Sequence, residues 1–301
     1  MPKICYIARD FAPATLTVIT QAEAICIDYD RRGFTLTLRQ LYYQFVSKGL
    51  IPNKDTEYKR LGSIINDARL AGLLDWYHLE DRTRNLRSLS HWDSPADIIN
   101  SAAASYRIDK WATQPHRIEC WIEKDALLGV IQGVCNRLDI PYFSCRGYTS
   151  QSEVWGAAQR LKYYVNQGQI PVILHLGDHD PSGIDMTRDI TDRLKLFMGG
   201  VHVDRLALNF DQVQQYQPPP NPAKLTDSRA IHYIQIHGTD SWELDALTPE
   251  IINQLIEDAV YSIREPDLWQ TAQDDEDNQK EILKATAERW PEVTTFLQQP
   301  S

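Results

Sequence analysis

The chain has 301 residues, enough for two domains, and 43% of them are hydrophobic, which is ordinary for a globular protein. The net charge of −10 argues against a protein that binds nucleic acid over its whole surface, and no apolar run reaches the length of about 18 residues that a membrane span needs. The five cysteines form no CxxC pair and the N-terminus lacks the shape of a signal peptide, so both features predict a cytoplasmic protein with reduced, mostly buried thiols.

The first 90 residues are predicted to form a helical domain. Gly33 ends the first helix, and Thr37 with Gln40 forms a capping box at the start of the second. Two helices joined by a tight link and followed by a strand-like segment are typical of a helix-turn-helix with a wing. The predicted elements are helices over 12–32, 38–48 and 56–71 and a strand-like segment over 73–79.

The third of these helices is the candidate DNA-binding element. Residues 31–90 hold 11 Lys and Arg against 6 Asp and Glu, so this region is basic within an acidic chain. A small helical bundle that binds only protein has the same pattern, and an unevenly charged surface explains the charge equally well. The candidate contacts to DNA on the outer face of the helix are Lys59, Arg60, Asn66 and Arg69.

The second helix carries a tyrosine pair. Tyr42 belongs to the core stripe of the helix, whereas Arg39 and Tyr43 are i, i+4 neighbours on another face. A guanidinium can hold a phosphate oxygen by two hydrogen bonds and favours a nearby phenolate. The pair therefore suits attack on a phosphodiester, but an aromatic stripe that packs on the next domain fits the same spacing.

Residues 91–115 are predicted to be a linker that holds one helix, and residues 116–301 are predicted to be an α/β domain with a helical extension. An apolar run over 116–125 ends in acidic residues. Helix, strand, helix, strand, acidic turn and helix then follow, and further elements are expected beyond them. The predicted segments are a helix over 126–138, a strand over 141–145, a helix over 153–166, a strand over 170–174, a helix over 184–197, strands over 203–210 and 231–236, and a helix over 249–263.

Three carboxylates follow two of the predicted parallel strands. Glu123 ends the first strand of the α/β unit, and Asp178 and Asp180 follow the third, so all three are expected at one edge of the sheet. Converging anions repel each other, and a hard cation such as Mg²⁺ relieves that repulsion. The alternative is that Asp-x-Asp-Pro-x-Gly is only a β-turn. Glu119 lies mid-strand, too deep to reach the edge.

The remaining segments give weaker signals. Residues 217–229 form a Pro-rich excursion in which Lys224 and Arg229 are either phosphate contacts or parts of a rigid arm. Glu243 and Asp245 are weaker candidates for metal support. The acidic run 274–277 is predicted to be a solvated loop.

Two motifs together resemble a known family. Glu123-Lys-Asp-Ala followed by Asp178-His-Asp-Pro-Ser-Gly resembles the Toprim domain of topoisomerases, primases and OLD-type nucleases. The form is most similar to the A subunit of topoisomerase VI and its meiotic double-strand-break relatives, which carry an Arg-x-x-Tyr-Tyr motif that Arg39, Tyr42 and Tyr43 match. The resemblance implies a winged-helix domain followed by a Toprim Rossmann-like parallel-sheet domain, in the compact stand-alone form called Mini-A.

The resemblance also implies an activity, which is Mg²⁺-dependent cleavage of double-stranded DNA by a type IIB topoisomerase-like enzyme. Tyr43 is then the nucleophile that becomes joined to a DNA 5′ end, Arg39 steadies the phosphate, and Glu123, Asp178 and Asp180 hold the metal. A homodimer is implied, in which one chain's tyrosine meets the other chain's metal site. Because the chain has no Gly-rich ATP loop, ATP-driven strand passage either needs a separate ATPase subunit of the B type or does not occur.

Two alternatives belong to other classes. One is an OLD-type hydrolytic nuclease, in which metal-activated water attacks the phosphodiester and Tyr43 is structural. The other is a DNA-binding regulator whose metal pocket is inert.

Overall fold

The computed structural model describes residues 3–80 and 89–298 of the chain. Within these residues, helices accompany one four-stranded parallel sheet and one short antiparallel pair of strands, so the fold is mixed α/β, as predicted. Residues 81–88 include part of the predicted basic region and the end of the predicted first domain, and they lie outside the described residues.

The N-terminal unit is helical and follows the predicted boundaries closely. Thr37 begins the second helix with the predicted capping box, since its hydroxyl accepts from Gln40 N at 3.3 Å and Gln40 Oε1 accepts from Thr37 N at 2.9 Å. Tyr42 is buried in the core of this unit, also as predicted. The three helices are α1 (Pro13–Arg31), α2 (Leu38–Ser47) and α3 (Asp55–Leu70).

The strand predicted over 73–79 is wrong. Residues Trp76–His78 form a 3₁₀ turn, because the Asp75 carboxylate accepts from Tyr77 N at 3.0 Å and gives the backbone a local alternative to pairing. One parallel bridge between Leu36 and Leu79 remains.

The rest of the chain alternates strands and helices and then ends in helices. Its first part contains α4 (Pro95–Ser105), β1 (His116–Ile122), α5 (Leu128–Arg137), β2 (Tyr142–Ser144), α6 (Gln151–Asn166), β3 (Ile170–Leu176), α7 (Pro181–Met198) and β4 (His202–Ala207). Its second part contains α8 (Phe210–Tyr216), β5 (Asn221–Pro222), α9 (Ala230–His237), β6 (Asp240–Ser241), α10 (Pro249–Ile263), α11 (Pro266–Glu288) and α12 (Trp290–Leu297).

The parallel sheet has the order β2-β1-β3-β4 and is covered on both faces. One face packs on α5 and α10, and the other packs on α6 and α7. Glu119 lies in mid-strand, where it is buried against Arg160 of α6 at 2.8 Å and accepts from Trp121 Nε1 at 3.0 Å. It therefore serves the core and not the sheet edge, as its position in the sequence indicates.

Two predictions for the C-terminal part are wrong. Residues 231–236 alternate polar and apolar side chains like a strand, but they form α9, which buries Ala230 and Tyr233 at helical spacing. Residues 274–277 belong to α11 and not to a solvated loop. Glu276 is buried because Lys110 and Lys280 pair with it and Ile108 N donates to it at 3.1 Å.

Helix α4, which the sequence predicts within the linker, packs along α11. All five cysteines are free, and four are buried, as predicted; Cys5 is exposed. Within residues 3–80 and 89–298, no helix is long and apolar enough to cross a membrane.

Candidate active site

The site is built at the carboxyl edge of the parallel sheet. Strands β1 and β3 are neighbours in register, with Ile122 opposite Leu176, so the residues that follow them emerge side by side. Glu123 comes directly after β1, and its Oε2 accepts from Asp178 N at 2.8 Å. The structure therefore places Glu123 against the Asp178 loop, where the sequence predicts it.

Asp180 occupies the N-cap of α7. Its Oδ1 accepts from Gly183 N at 2.6 Å and from the Ser182 hydroxyl at 3.1 Å, and Pro181 takes the first position of the helix. The motif is thus a strand-to-helix connection and not an isolated β-turn. Glu123, Asp178 and Asp180 are called the acidic edge below.

Gly183 is required by the close approach of the backbone. A Cβ atom at this position would lie 2.2 Å from Asp178 O, well inside van der Waals contact. We expect Gly183→Ala to lower the free energy of unfolding by about 1–3 kcal/mol or more, because the loop must move to relieve the overlap. Urea denaturation measures this change.

The matched control is Gly133→Ala in α5, where a Cβ atom meets nothing within 4 Å. That substitution should stabilise the helix by about 0.5–1 kcal/mol. Equal stability of the two variants would contradict the steric explanation for Gly183.

Two cations and three carboxylates form a network beside the acidic edge. Lys124 Nζ lies 3.0 Å from Asp178 Oδ1, 2.8 Å from Glu243 Oε2 and 2.9 Å from Asp245 Oδ1. Arg39, on α2, contacts two of these three carboxylates. Its Nη2 lies 2.8 Å from Glu243 Oε2, and its Nε lies 3.0 Å from Asp245 Oδ2. These five side chains are called the charge cluster below.

The charge cluster joins the two halves of the chain. Helix α2 packs against the 3₁₀ turn Leu244–Ala246, and Ala246 is buried in the core of the N-terminal unit. The Asp178 carboxylate also accepts from Leu244 N at 2.8 Å, so it binds this turn to the sheet edge. The tyrosine helix is therefore held on the acidic edge of its own chain.

Arg205, in β4, binds the backbone of the loop that connects β3 to α7. Its guanidinium donates to Asp178 O at 2.6 Å and to Gly183 O at 2.9 Å. Burial outweighs the attraction of the acidic edge and lowers the pKa of Arg205 to about 10. Its signal in the sequence is weak, because an arginine within a predicted strand is the one local cue.

The acidic edge carries excess negative charge. Burial, and then Glu123 and Asp245, raise the pKa of Asp178 to about 7, although Lys124 opposes the shift. Burial is also the main cause of the raised pKa of Glu123. Taken together, the acidic edge, the charge cluster and Arg205 contain five carboxylates and three cationic side chains. Their formal charge is therefore −2, which one divalent cation would balance.

The raised pKa of Asp178 predicts a pH dependence of stability. The folded chain keeps a proton that the unfolded chain releases above its pKa of about 4, so the unfolding free energy falls as the pH rises from about 4 to about 7. Asp178→Asn should make this fall shallower, as measured by urea denaturation in EDTA. The ionisation of Glu243 affects stability mainly below this pH range, because Lys124, Tyr43 and Arg39 outweigh burial and lower its pKa to about 2. A slope equal to the parent's would contradict the expectation.

The donors suit a hard cation, but a complete metal site is not formed. Each carboxylate of the acidic edge binds a backbone N–H through one oxygen, and the other oxygen accepts no hydrogen bond from the described residues. Oriented carboxylates of this kind are the ligands that Mg²⁺ prefers. Within residues 3–80 and 89–298, however, no three His, Cys, Asp or Glu side chains are grouped closely enough to hold a metal ion.

Tyr43 lies on α2, the helix held on the acidic edge, and it is 3% exposed. Tyr43 and Glu243 line the same cleft, and the Arg39 guanidinium carbon lies 6.0 Å from the Tyr43 ring centre. Burial, Asp245 and Glu243 raise the pKa of Tyr43, and the lowering effect of Arg39 does not offset them. Arg39 therefore favours the phenolate, as predicted, but burial and the two carboxylates favour the neutral phenol more strongly.

A cleft of about 280 Å³ nevertheless joins the tyrosine to the acidic edge. Side chains from both halves of the chain line it, and the exposed Lys224 lies at its side. Its charged and phenolic lining includes Arg39, Tyr43, Asp178, Asp180, Lys224 and Glu243.

The candidate DNA contacts on α3 are separated. Lys59 and Arg60 are exposed, with Arg60 paired to Glu57. Asn66 and Arg69 instead line a groove of about 870 Å³ between α3 and α5. Arg69 is half-buried and donates to Leu79 O at 2.6 Å, so the structure does not present it on the outer face.

Arg229 is also bound within the chain, since it pairs with Asp227 at 2.7 Å and Asp185 at 3.0 Å. Its predicted alternative as part of a rigid arm agrees with these contacts.

Comparisons of the chain with protein-family models and with curated proteins found no match.

Proposed function

We propose that this chain is a Mg²⁺-dependent DNA-cleaving enzyme that acts by tyrosine transesterification, as its resemblance to the topoisomerase VI A subunit implies. In this proposal the N-terminal helical unit has the role of the winged helix, and the parallel sheet has the role of the Toprim domain. The 3₁₀ turn at Trp76–His78 then stands where a wing strand is expected.

One observation carries the proposal. Tyr43 and Arg39, from the helical unit, line the same cleft as Asp178 and Asp180, from the sheet edge. A phenol, a guanidinium and two carboxylates are the groups that phosphodiester transfer requires, and they come from motifs 135 or more positions apart in the sequence.

The chemistry is balanced within this set. The Tyr43 oxygen forms a bond to phosphorus, the bond from phosphorus to the 3′ oxygen breaks, and the phenolic proton is lost as the 3′ oxygen gains one. Arg39 would hold a non-bridging phosphate oxygen. Glu123, Asp178 and Asp180 would hold Mg²⁺, which supplies positive charge to the phosphate when bound.

The hydrolytic nuclease is the second candidate, and a specific observation favours it. Tyr43 is buried, and burial together with Asp245 and Glu243 raises its pKa, which makes it a poor nucleophile in this arrangement. In that case water attacks the phosphodiester, and the same three carboxylates hold the metal.

One experiment separates these functions. Supercoiled DNA is incubated with the protein in Mg²⁺ or in EDTA and run on denaturing gels with and without protease. Transesterification predicts DNA that is retained on protein until protease is added. Cleavage without retained DNA supports the hydrolytic nuclease, and no cleavage in Mg²⁺ supports the regulator.

The oligomeric arrangement gives a separate prediction. The resemblance implies a homodimer in which each site combines two chains, whereas the cleft places Tyr43 beside the acidic edge of its own chain. If sites form between chains, mixing Tyr43→Phe with Asp178→Ala protein restores one working site per mixed dimer and gives nicked DNA.

If each site forms within one chain, the mixture stays inactive, because neither chain has both groups. Light scattering that shows only monomer, with and without DNA, would contradict the homodimer. The separate ATPase subunit remains a prediction from the resemblance.

A further inference from the structure

The carboxylate of Glu243 has an unusual set of neighbours. Its Oε2 atom lies 2.8 Å from Arg39 Nη2 and 2.8 Å from Lys124 Nζ, so one anionic oxygen bridges two cations. Tyr43 lines the same cleft as this carboxylate, whose other oxygen accepts from Asn221 Nδ2 at 3.3 Å. An anion is therefore held between the guanidinium and the ammonium, in a cleft that the phenol also lines.

This is the environment that a phosphodiester needs at the moment of attack. A non-bridging phosphate oxygen is an anionic acceptor of similar size, and paired Arg and Lys side chains are common phosphate ligands. The phosphorus must also lie next to the phenolic oxygen that attacks it. The Glu243 carboxylate touches both cations, and it lines the same cleft as Tyr43.

We propose that Glu243 is an internal mimic of the DNA phosphate: in the absence of DNA its carboxylate occupies the phosphate-binding pair formed by Arg39 and Lys124, and DNA must displace it. The inference rests on the proposed function for the identity of the ligand. It assigns Lys124 a binding role, and it makes the charge cluster a contact that keeps the site closed.

The surrounding structure supports displacement over a permanent bond. The Glu243 side chain is 25% exposed, whereas that of Asp245 is 1% exposed, so Asp245 can keep Arg39 and Lys124 in place while Glu243 leaves. Glu243 also precedes the 3₁₀ turn and lies outside any long helix or strand, which allows its side chain to turn outward.

The cavities on either side indicate what displacement would open. Arg39 and Tyr58 line both the 280 Å³ cleft and the 870 Å³ groove between α3 and α5. The ion pairs of Arg39 thus help to separate the two spaces, and release of Glu243 would weaken this partition.

The test measures binding of a fluorescein-labelled DNA duplex of about 20 base pairs by anisotropy, in EDTA so that no cleavage is needed. Glu243→Gln should bind at least about tenfold more tightly than the parent, because the internal competitor is weakened. The slope of log affinity against log salt should also become steeper, as more phosphate contacts form.

Asp240→Asn is the matched control, since it removes one exposed carboxylate three positions away without touching the cluster. An equal gain in both variants would show a general charge effect and overturn the proposal, as would unchanged or weaker binding by Glu243→Gln. Because this assay measures binding and not cleavage, its result can be interpreted even if the transesterase proposal fails.

A second comparison does not depend on the folding of Glu243→Gln. Lys124→Met should weaken duplex binding and reduce the salt slope by about one, as the loss of a phosphate contact does. Lys162→Met, at an exposed position on α6, is its control. Equal effects of the two lysine substitutions would overturn the role assigned to Lys124.

Discussion

Tyr43→Phe is expected to eliminate any DNA that remains attached to protein by its 5′ end after denaturation. The substitution removes the one oxygen that can form the phosphotyrosine bond and keeps the ring that packs in the interface. Loss of this one hydroxyl should lower the unfolding free energy by no more than about 0.5–1.5 kcal/mol. Labelled DNA on a denaturing protein gel, together with a urea melt, measures both effects.

Tyr42→Phe is a close control for this experiment. The Tyr42 hydroxyl donates to Asn53 Oδ1 at 2.9 Å and accepts from Lys54 N at 2.8 Å, so its loss should cost at least as much stability. The Tyr42 variant should nevertheless keep the adduct. If Tyr43→Phe cuts DNA at the parent rate and leaves free 5′ phosphates, the transesterase proposal is wrong and the hydrolytic nuclease replaces it.

Asp180→Asn is expected to abolish Mg²⁺-dependent cleavage while the fold is retained. The asparagine oxygen can still accept from Gly183 N and cap α7, but the negative charge of the acidic edge is reduced. Alanine is less informative, because it also removes the cap at a cost of about 1 kcal/mol. The loss of activity should exceed the roughly 10–100-fold that changes around a metal ligand cause.

The control for this variant is Asp192→Asn on the same helix, where the side chain is 60% exposed and pairs only with Arg188 among the described residues. It should cleave like the parent. Nicking of supercoiled DNA across a range of Mg²⁺ concentrations compares the three proteins. Parent-like cleavage by Asp180→Asn would remove Asp180 from the proposed metal site.

The local signals in the sequence predicted most of the elements that position the site. The capping box at Thr37 and the strand-to-helix turn before α7 depend on neighbouring residues, so their chemistry is visible in the sequence. Adjacent parallel strands then bring Glu123 and Asp178 together, because in-register strands end at one edge.

The wrong predictions concern segments whose contacts come from residues distant in the sequence. Residues 231–236 alternate in polarity like a strand, but they form a helix. Tyr233 of this helix binds His179, which lies between Asp178 and Asp180, and the local pattern does not predict this tertiary contact. The acidic run at 274–277 gave no sign that Glu276 meets Lys110, a partner 166 positions earlier.

The charge cluster could not be predicted for the same reason. Glu243 meets Lys124 across 119 positions and Arg39 across 204 positions, and no local pattern encodes such a pairing. From its local pattern Arg39 is expected to be free to hold phosphate, whereas in the folded chain it pairs with two carboxylates.

The packing of α4 along α11 has a consequence for biosynthesis. Ile108 N donates to Glu276 across 168 positions, so the segment between the two halves of the chain must wait for a helix that the ribosome makes much later. During that delay the sheet domain still lacks this C-terminal support, and the core of the helical unit still lacks Ala246. The nascent chain thus passes through a stage in which the tyrosine helix is complete before its carboxylate partners Glu243 and Asp245 have been made.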